Sequence, residues 1–468
     1  MAIRTVGPTS TFPTIAAAMA AAADSDTIQL EAGYKNETAT VTHNGMTVTG
    51  GATSTGIVLH LATGVALATF TLAGAAPINV FDNEGGNGIV GNDGNNVITV
   101  TDGADAVSGG LGIDRLVVDY HLGTTAVTGD STSNFADASG RLVTINGGFE
   151  NITVLTGSGA DTITTGTGDD IINTGNGVST VVAGEGANSI TGGINADTVT
   201  AGNGGNFIDG SDGTNTLTSG TGADTIIGGL GADTVVAGGG DDLITMRGGA
   251  DTVHGDAGVD RLVVNYAAST TIVTMAAPTG SLAAGYTGSI ADTSGNTVGF
   301  DGLENFTVTG GTANDLITTG DGIDIIQGGA GGDTINAGLG TDTLTGGVGK
   351  DILTGGGDHD VFDFNTIKES AKGLATRDLI TDFTHGIDDI DVSTIDANFR
   401  LQGNQHFSFI GVSQFDHQAG QLRVITHNVA GTVNDKTYVA GDVNGDGRPD
   451  FMIELNGNVH LTQGDFVL

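Results

Sequence analysis

Residues 156–263 divide into twelve consecutive blocks of nine without one slip in register, from TGSGADTIT through GGLGADTVV to GDAGVDRLV. Three more blocks occupy 91–117 and six occupy 310–363, giving 21. The eighth residue of every block is Ile, Val, Leu or Phe, from Ile98 through Ile163 and Val235 to Phe362. That residue class fills roughly one position in four of an average chain, so chance does not produce the pattern. A nine-residue unit is too short to bury an apolar face alone. It gains a core only by stacking on its neighbours, which is the logic of a solenoid.

Each position of the block has a mechanical task. Gly at the second and fourth positions allows positive φ and close approach of the backbone to an ion. Positions seven to nine form a three-residue strand whose eighth side chain points inward, by the period-two alternation of a strand. Thr162, Thr198, Thr225, Thr234, Thr252, Thr334 and Thr343 at the seventh position are β-branched residues suited to its outer face. The sixth position holds a carboxylate short enough to reach into the turn, where carbonyl oxygens complete a hard-oxygen site suited to calcium. The candidate ligands are Asp105, Asp114, Asp161, Asp170, Asp197, Asp224, Asp233, Asp242, Asp251, Asp260, Asp315, Asp324, Asp333, Asp342, Asp351 and Asp360. Asn96, Ser179, Asn188, Asn206 and Asn215 replace Asp in the other five blocks, where weaker or missing ions are expected. Asx turns alone do not account for so many uncompensated Asp residues in stacked turns.

Composition agrees. The formal net charge is −40, and 46 of the 54 acidic residues are Asp, the shorter carboxylate. Nucleic acid is excluded as a partner, because a phosphate backbone is held by clustered Lys and Arg, and only 14 are present. The 82 Gly show no period of three, which excludes collagen. Cysteine is absent, so a scaffold stapled by calcium rather than by disulfides is expected. No transmembrane segment is expected: the Ala-rich run Ile15 to Ala23 is too short to span a bilayer. Residues 1–25 show no basic stretch followed by an apolar core, so an export address is expected elsewhere.

The blocks GGLGADTVV, GGAGGDTIN and GGVGKDILT resemble the RTX, or haemolysin-type, calcium-binding repeat, G-G-x-G-x-D-x-U-x. The resemblance implies an all-β, right-handed parallel β-roll with two nonapeptides per coil. Calcium would lie between successive turns, ligated by the sixth-position Asp. It also implies a bacterial chain exported unfolded by type I secretion machinery, which folds in calcium-rich surroundings outside the cell or at its surface.

Two segments, 118–155 and 264–309, interrupt the period and resemble each other: DRLVVDY at 114–120 corresponds to DRLVVNY at 260–266. Their alternating apolar residues predict strands, as wider coils or a hairpin flap. Residues 1–90 read as an Ala-rich amphipathic helix followed by strands. They resemble the start of a pectate-lyase-like parallel β-helix, in which a helix caps the open core. Residues 91–363 form the roll with its two interruptions. VFDFNTIKES at 361–370, GDVNGDGRPDFMIEL and a terminal DFVL resemble the serralysin-type C-terminal domain over nearly all of residues 360–468, and the domain itself is expected at 364–468. That implies a β-sandwich-like cap filled by Phe362, Phe364, Phe383, Phe399, Phe407, Phe409, Phe415 and Phe451, with an export signal at Asp465 to Leu468. Asp442, Asn444, Asp446 and Gly447 copy the start of a calcium loop, but Ile453 stands where its last carboxylate belongs; an Asx-rich hairpin turn is the alternative. Asp388, Asp389 and Asp391 offer a further acidic cluster.

No H-E-x-x-H, G-x-S-x-G or cysteine nucleophile occurs. A glycosidase-type pair needs carboxylates in a cleft with separated pKa values. The interruptions supply only Asp119, Asp130, Asp137, Glu150, Asp292, Asp301 and Glu304. No catalytic residue is assigned. The expected function is a secreted calcium-binding structural, surface-layer, matrix or adhesion protein that self-associates or binds cell-surface glycan. The alternative is a secreted polysaccharide-acting lyase, epimerase or hydrolase with an RTX export module.

Overall fold

Three-residue strands pair in parallel with strands 18 residues further on, so one coil is two nonapeptides. Thr162, Ile163 and Thr164 face Thr180, Val181 and Val182, while Ile171, Ile172 and Asn173 face Ser189, Ile190 and Thr191. Consecutive blocks therefore go to opposite walls, and the eighth-position side chains of both walls meet inside. The computed structural model describes residues 1–65, 69–427 and 435–468 and divides into two compact units, Met1–Gly229 and Leu230–Leu468. Both are mostly β and largely parallel solenoids.

In the first unit Ile163, Val181, Val199 and Leu217 stack on one wall. Val154, Ile172, Ile190, Ile208 and Ile226 stack on the other. In the second unit the rows run Ile317, Ile335, Leu353, Ile380, Leu455 and Val308, Ile326, Leu344, Phe362, Ile390, Phe466. All 21 eighth-position side chains are no more than 1% exposed. The same parallel rungs run through the segment before the first nonapeptide, where Ile28, Val48 and Leu72 face one another in register.

The only α-helix among the described residues is Ile15–Ala20, six residues long. Its first turn is fixed by the Thr14 hydroxyl, which accepts from Ala17 N, and by the Glu37 carboxylate, which accepts from Ile15 N and Ala16 N at 2.9 and 3.0 Å. It is shorter than the Ala-rich run predicts. Asp26, held by Arg4 at 2.9 Å and accepting from Ala23 N at 3.1 Å, turns the chain into the strand Thr27–Leu30 before the helix can continue.

Both interruptions are antiparallel meanders set within one wall, rather than the wider coils or flap expected from the sequence. Leu142–Ile145 pairs in parallel with Ala104–Ser108 and antiparallel with Asn134–Asp137, which pairs antiparallel with Val127–Asp130. Val127–Asp130 then returns to parallel pairing with Thr162–Thr164. The second interruption repeats this with Thr297–Leu303, Gly285–Asp292 and Val273–Met275, between Ala250–His254 and Leu316–Thr318. Val127, Phe135 and Val143 point inward and are fully buried, so the meander prolongs the core instead of folding over it.

After the last nonapeptide the walls continue. Leu379–Ile380 and Phe451–Asn456 extend one, and Asp389–Asp391 and Phe466–Val467 extend the other. Gln421–His427, Lys436–Asp442 and Phe451–Asn456 form an antiparallel meander beside them. Phe362, Phe364, Phe383, Phe407 and Phe451 are buried, but Phe399 is 61% exposed in the irregular segment before the meander and does not join this core.

The inward row decides stability. Ile335→Ala should cost about 2–5 kcal/mol, since it deletes fully buried methyl groups from the inward row. Asn336→Ala, on the exposed face of the same strand, should stay within about 0.5 kcal/mol. Urea unfolding in saturating calcium measures both.

Candidate metal centre

Within each unit the stacking places the sixth position of one coil above that of the next. All 16 Asp residues predicted from the sequence are buried, at no more than 4% exposure. One carboxylate oxygen binds back to the preceding coil: Asp315 N donates to Asp333 Oδ1 at 2.7 Å, Asp333 N to Asp351 Oδ1 at 2.7 Å, and Asp324 N to Asp342 Oδ1 at 2.8 Å. In the first unit Asn87 N, Asn96 N and Ser179 N donate in the same way to Asp105, Asp114 and Asp197, each at 2.7 Å. The second oxygen is buried without a partner in Asp105, Asp114, Asp170, Asp197, Asp251, Asp260, Asp324, Asp333, Asp342 and Asp351. An ionised oxygen in that state is costly unless a cation reaches it.

The space in front of that oxygen fits a cation. A Cβ added at Gly328 would overlap both Asp333 Oδ2 and the carbonyl oxygen of Gly346 in the next coil. A Cβ at Gly192 would likewise crowd Asp197 Oδ2 and the Gly210 carbonyl, at 2.6 and 3.0 Å. The first-position glycine thus leaves open a small cradle lined by a carboxylate and a carbonyl. Among the described residues no three His, Cys, Asp or Glu side chains gather as a metal cluster, so an ion here draws most ligands from the backbone. Hard oxygen donors of this kind suit calcium, and not the nitrogen and sulfur sites of zinc.

Burial pushes these carboxyl groups up, and neighbouring carboxylates add to the effect. Asp114, Asp197 and Asp333 rise to about 6, and Asp105, Asp251, Asp260, Asp324, Asp342, Asp351 and Asp360 to about 7. Asp378, fully buried against Asp351, rises to about 9.

The 16 positions are not equivalent. Asp161 and Asp315, each following an interruption, use both oxygens within the protein. Asp161 accepts from Val127 N and the Thr156 hydroxyl; Asp315 accepts from Val273 N and Gly311 N, both at 2.7 Å. Asn188 and Asn206 keep the ladder bond through Oδ1, at 3.0 Å from Asp170 N and 3.1 Å from Asn188 N. Their amide groups turn toward the turn carbonyls: Asn206 Nδ2 donates to Gly202 O at 3.0 Å and Gly204 O at 2.8 Å, and Asn188 Nδ2 reaches Gly184 O and Gly186 O at 3.3 and 3.2 Å.

Sequence spacing missed two members of the ladder that follow the last nonapeptide. Asp378 accepts from Asp351 N at 2.8 Å and Asp388 from Asp360 N at 3.1 Å, so both stand where the next sixth-position Asp belongs. They lie 27 and 28 residues further on rather than 18, which removes them from any count of nine. The Asp442 loop is closed by its own bonds: Gly445 N and Gly447 N donate to the two Asp442 oxygens at 2.6 and 2.8 Å.

The carboxylates weighed for glycoside chemistry are committed locally. Asp137 binds Arg141, Ser139 and Thr125; Asp292 binds Ser269, Ser294 and Asn296. These bonds hold both well below the usual carboxylate range. Asp119 pairs with His121, Asp301 with His254 at 2.9 Å, and Asp130 caps its own turn through Thr132 N at 2.8 Å.

Residues 81–116, 153–181, 174–208, 209–244 and 247–264 match the RTX calcium-binding nonapeptide repeat, and residues 297–468 match the C-terminal domain of the peptidase M10 serralysins. These are RTX calcium-binding repeats joined to a serralysin-type C-terminal domain. The serralysin match begins before the last six nonapeptides, so it takes in part of the roll. No curated protein matches the chain. Among solved structures, the AlgE6R3 subunit of the Azotobacter vinelandii mannuronan C5-epimerase is 28% identical over 35% of this chain and 77% of its own, with a TM-score of 0.22. The AlgE6R2 subunit of that enzyme is 26% identical over 32% of this chain and 90% of its own, with a TM-score of 0.23. The protein is a secreted bacterial RTX-repeat chain that binds calcium. No helix of the described residues is long and apolar enough to cross a membrane.

The raised carboxyl groups fix the sign of the pH response. A folded-state pKa above the unfolded value of about 4 adds stability below about pH 4, and that stability is lost as pH rises through about 6 to 7. In metal-free buffer the RTX chain should therefore be largely unfolded near about pH 8 and gain β structure on acidification to about pH 5. Saturating calcium should restore the fold at about pH 8. Far-ultraviolet circular dichroism reads both; an unchanged β spectrum in metal-free buffer at the higher pH would count against the coupling.

Proposed function

We propose that the chain is a calcium-set structural element of the extracellular surface or matrix, which reaches its fold after export by type I secretion machinery and then associates with copies of itself. One observation carries this reading: the column of buried Asp residues whose second oxygen has no partner within the protein. A chain built this way is unfavourable inside a calcium-poor cell and favourable outside it. The sixth-position Asp residues are the ligands, with the strongest sites at those whose second oxygen is unpaired. The Asn188 and Asn206 rungs do without an ion, because each side-chain amide already donates to the carbonyls that an ion would take. In the first unit the short helix packs its buried Ile15, Ala18 and Met19 against the first strands, and in the second the Phe466–Val467 strand is a late parallel rung of its wall.

Self-association has support in the turns. Ile113, Val178, Ile194, Val259, Ile323 and Leu339 occupy third or fifth positions and are each more than half exposed. With Ile387 and Leu282, three of these line a groove of about 780 Å³ in the second unit. Aliphatic rows of this kind pack against one another once calcium has lowered the charge that keeps the chains apart. The reading as a polysaccharide-acting protein rests on a polar pocket of about 230 Å³ beside the second interruption, lined by Arg247, Tyr266, Ser269 and Asp292.

Light scattering and electron microscopy across a calcium titration separate the two. Filaments or sheets at millimolar calcium, abolished by Ile323→Asn with Leu339→Asn while the calcium-induced β spectrum persists, are expected. Monomers at all calcium levels, with an oligosaccharide protecting the Tyr266 pocket from hydrogen exchange, would transfer the assignment to the glycan reading.

A further inference from the structure

Each interruption breaks the 18-residue spacing of the carboxylate ladder, yet the ladder does not stop there. Asp114 opens the first interruption, and its backbone N donates to Glu150 Oε2 at 2.7 Å, across 36 residues. Asp260 opens the second, and its backbone N donates to Glu304 Oε2 at 2.7 Å, across 44 residues. In a regular coil that N–H goes to the Asp one coil later. The glutamates therefore occupy the place of a sixth-position Asp, although neither lies in a nonapeptide.

The carbonyl side of the cradle is rebuilt as well. A Cβ on Gly255, the first residue of the Asp260 block, would overlap Asp260 Oδ2 and the carbonyl oxygen of Gly302. A Cβ on Gly109 would overlap the Gly148 carbonyl in the same way. Gly148 and Gly302 both adopt positive φ, at 75° and 64°, which turns the returning strand to offer that oxygen. The sequences are Gly148-Phe149-Glu150-Asn151 and Gly302-Leu303-Glu304-Asn305. Asp114 and Asp260 are fully buried, and the second oxygen of each has no partner. Their charged neighbours make the space before them more negative: Glu150 acts on Asp114, and Asp241, Asp242 and Glu304 act on Asp260.

We infer that the two Gly-apolar-Glu-Asn returns each complete a further calcium site, with Asp114 and Glu150 as the carboxylates of one and Asp260 and Glu304 as those of the other. This rests on the calcium reading of the ladder and extends it to residues outside the repeat. The returning strand puts each Glu in register with the Asp before it and takes up its offset only toward the following coil. Arg115 faces Asn151 while Thr153 faces Ile171, and Arg261 faces Asn305 while Thr307 faces Ile325, a shift of two residues between one neighbour and the next. Glu304 is buried and Glu150 exposed, so the second site binds more tightly.

The test is the calcium stoichiometry of the full chain, counted by equilibrium dialysis, for wild type and the E150Q/E304Q variant. Gln keeps the acceptor for the Asp N–H and removes the charge. The variant should bind two fewer ions at saturation, and its calcium midpoint for folding should rise several-fold, while Glu84→Gln changes neither. An unchanged ion count and midpoint would overturn the inference. Wild type that binds no calcium would instead overturn the ladder reading beneath it. Should the double variant not fold in saturating calcium, the single variants decide, each expected to lose one ion and E304Q to shift the midpoint more.

Discussion

The structure depends on a buried carboxylate divided between two duties. One oxygen of the sixth-position Asp accepts the backbone N–H of the coil before it and so sets the spacing of the turns. The other faces a cradle left open by a glycine and edged by a carbonyl of the next coil. The first duty makes the coil regular; the second leaves a buried oxygen for a cation to meet. Burial and the repetition of like charge along the column raise the cost of ionising these groups, and the thin core of one apolar side chain per strand cannot offset that cost alone. A divalent cation removes the penalty where it arises.

The departures from the repeat obey the same constraint. Asn206 supplies the ladder acceptor with its oxygen and, with its nitrogen, the donor that the turn carbonyls need, so a neutral side chain satisfies both duties. The interruptions keep their inward residues in line with the rungs on either side and return to parallel pairing at both edges. Arg115 and Arg261 secure the two return points alike: Arg115 donates to Asp169 O at 2.9 Å and Arg261 to Ile323 O at 2.8 Å, each a fifth-position carbonyl of the following turn. The insertions are tolerated because the hydrogen-bond ladder and the apolar row both cross them.

Much of this was legible in the residues. Strict recurrence of an aliphatic every nine residues determined the coil, the inward row and the identity of the buried Asp residues, because a stacked unit gives every repeat the same surroundings. The composition, rich in Asp and lacking Cys, pointed to an oxygen-ligated metal for the same reason. The Phe-rich C-terminal segment was less legible: Phe399 reads like its neighbours in sequence, yet it lies outside the core that they fill.

Only the tertiary structure decided what the interruptions are and which carboxylates beyond the repeat belong to the ladder. Alternating apolar residues predict strands but not their partners, so a meander within the wall and a flap outside it look alike in one dimension. Glu150, Glu304, Asp378 and Asp388 enter the column after gaps of 36, 44, 27 and 28 residues. Local periodicity carries no information across such gaps. Their place is fixed by which backbone N–H the returning chain meets, and that is settled when the walls stack.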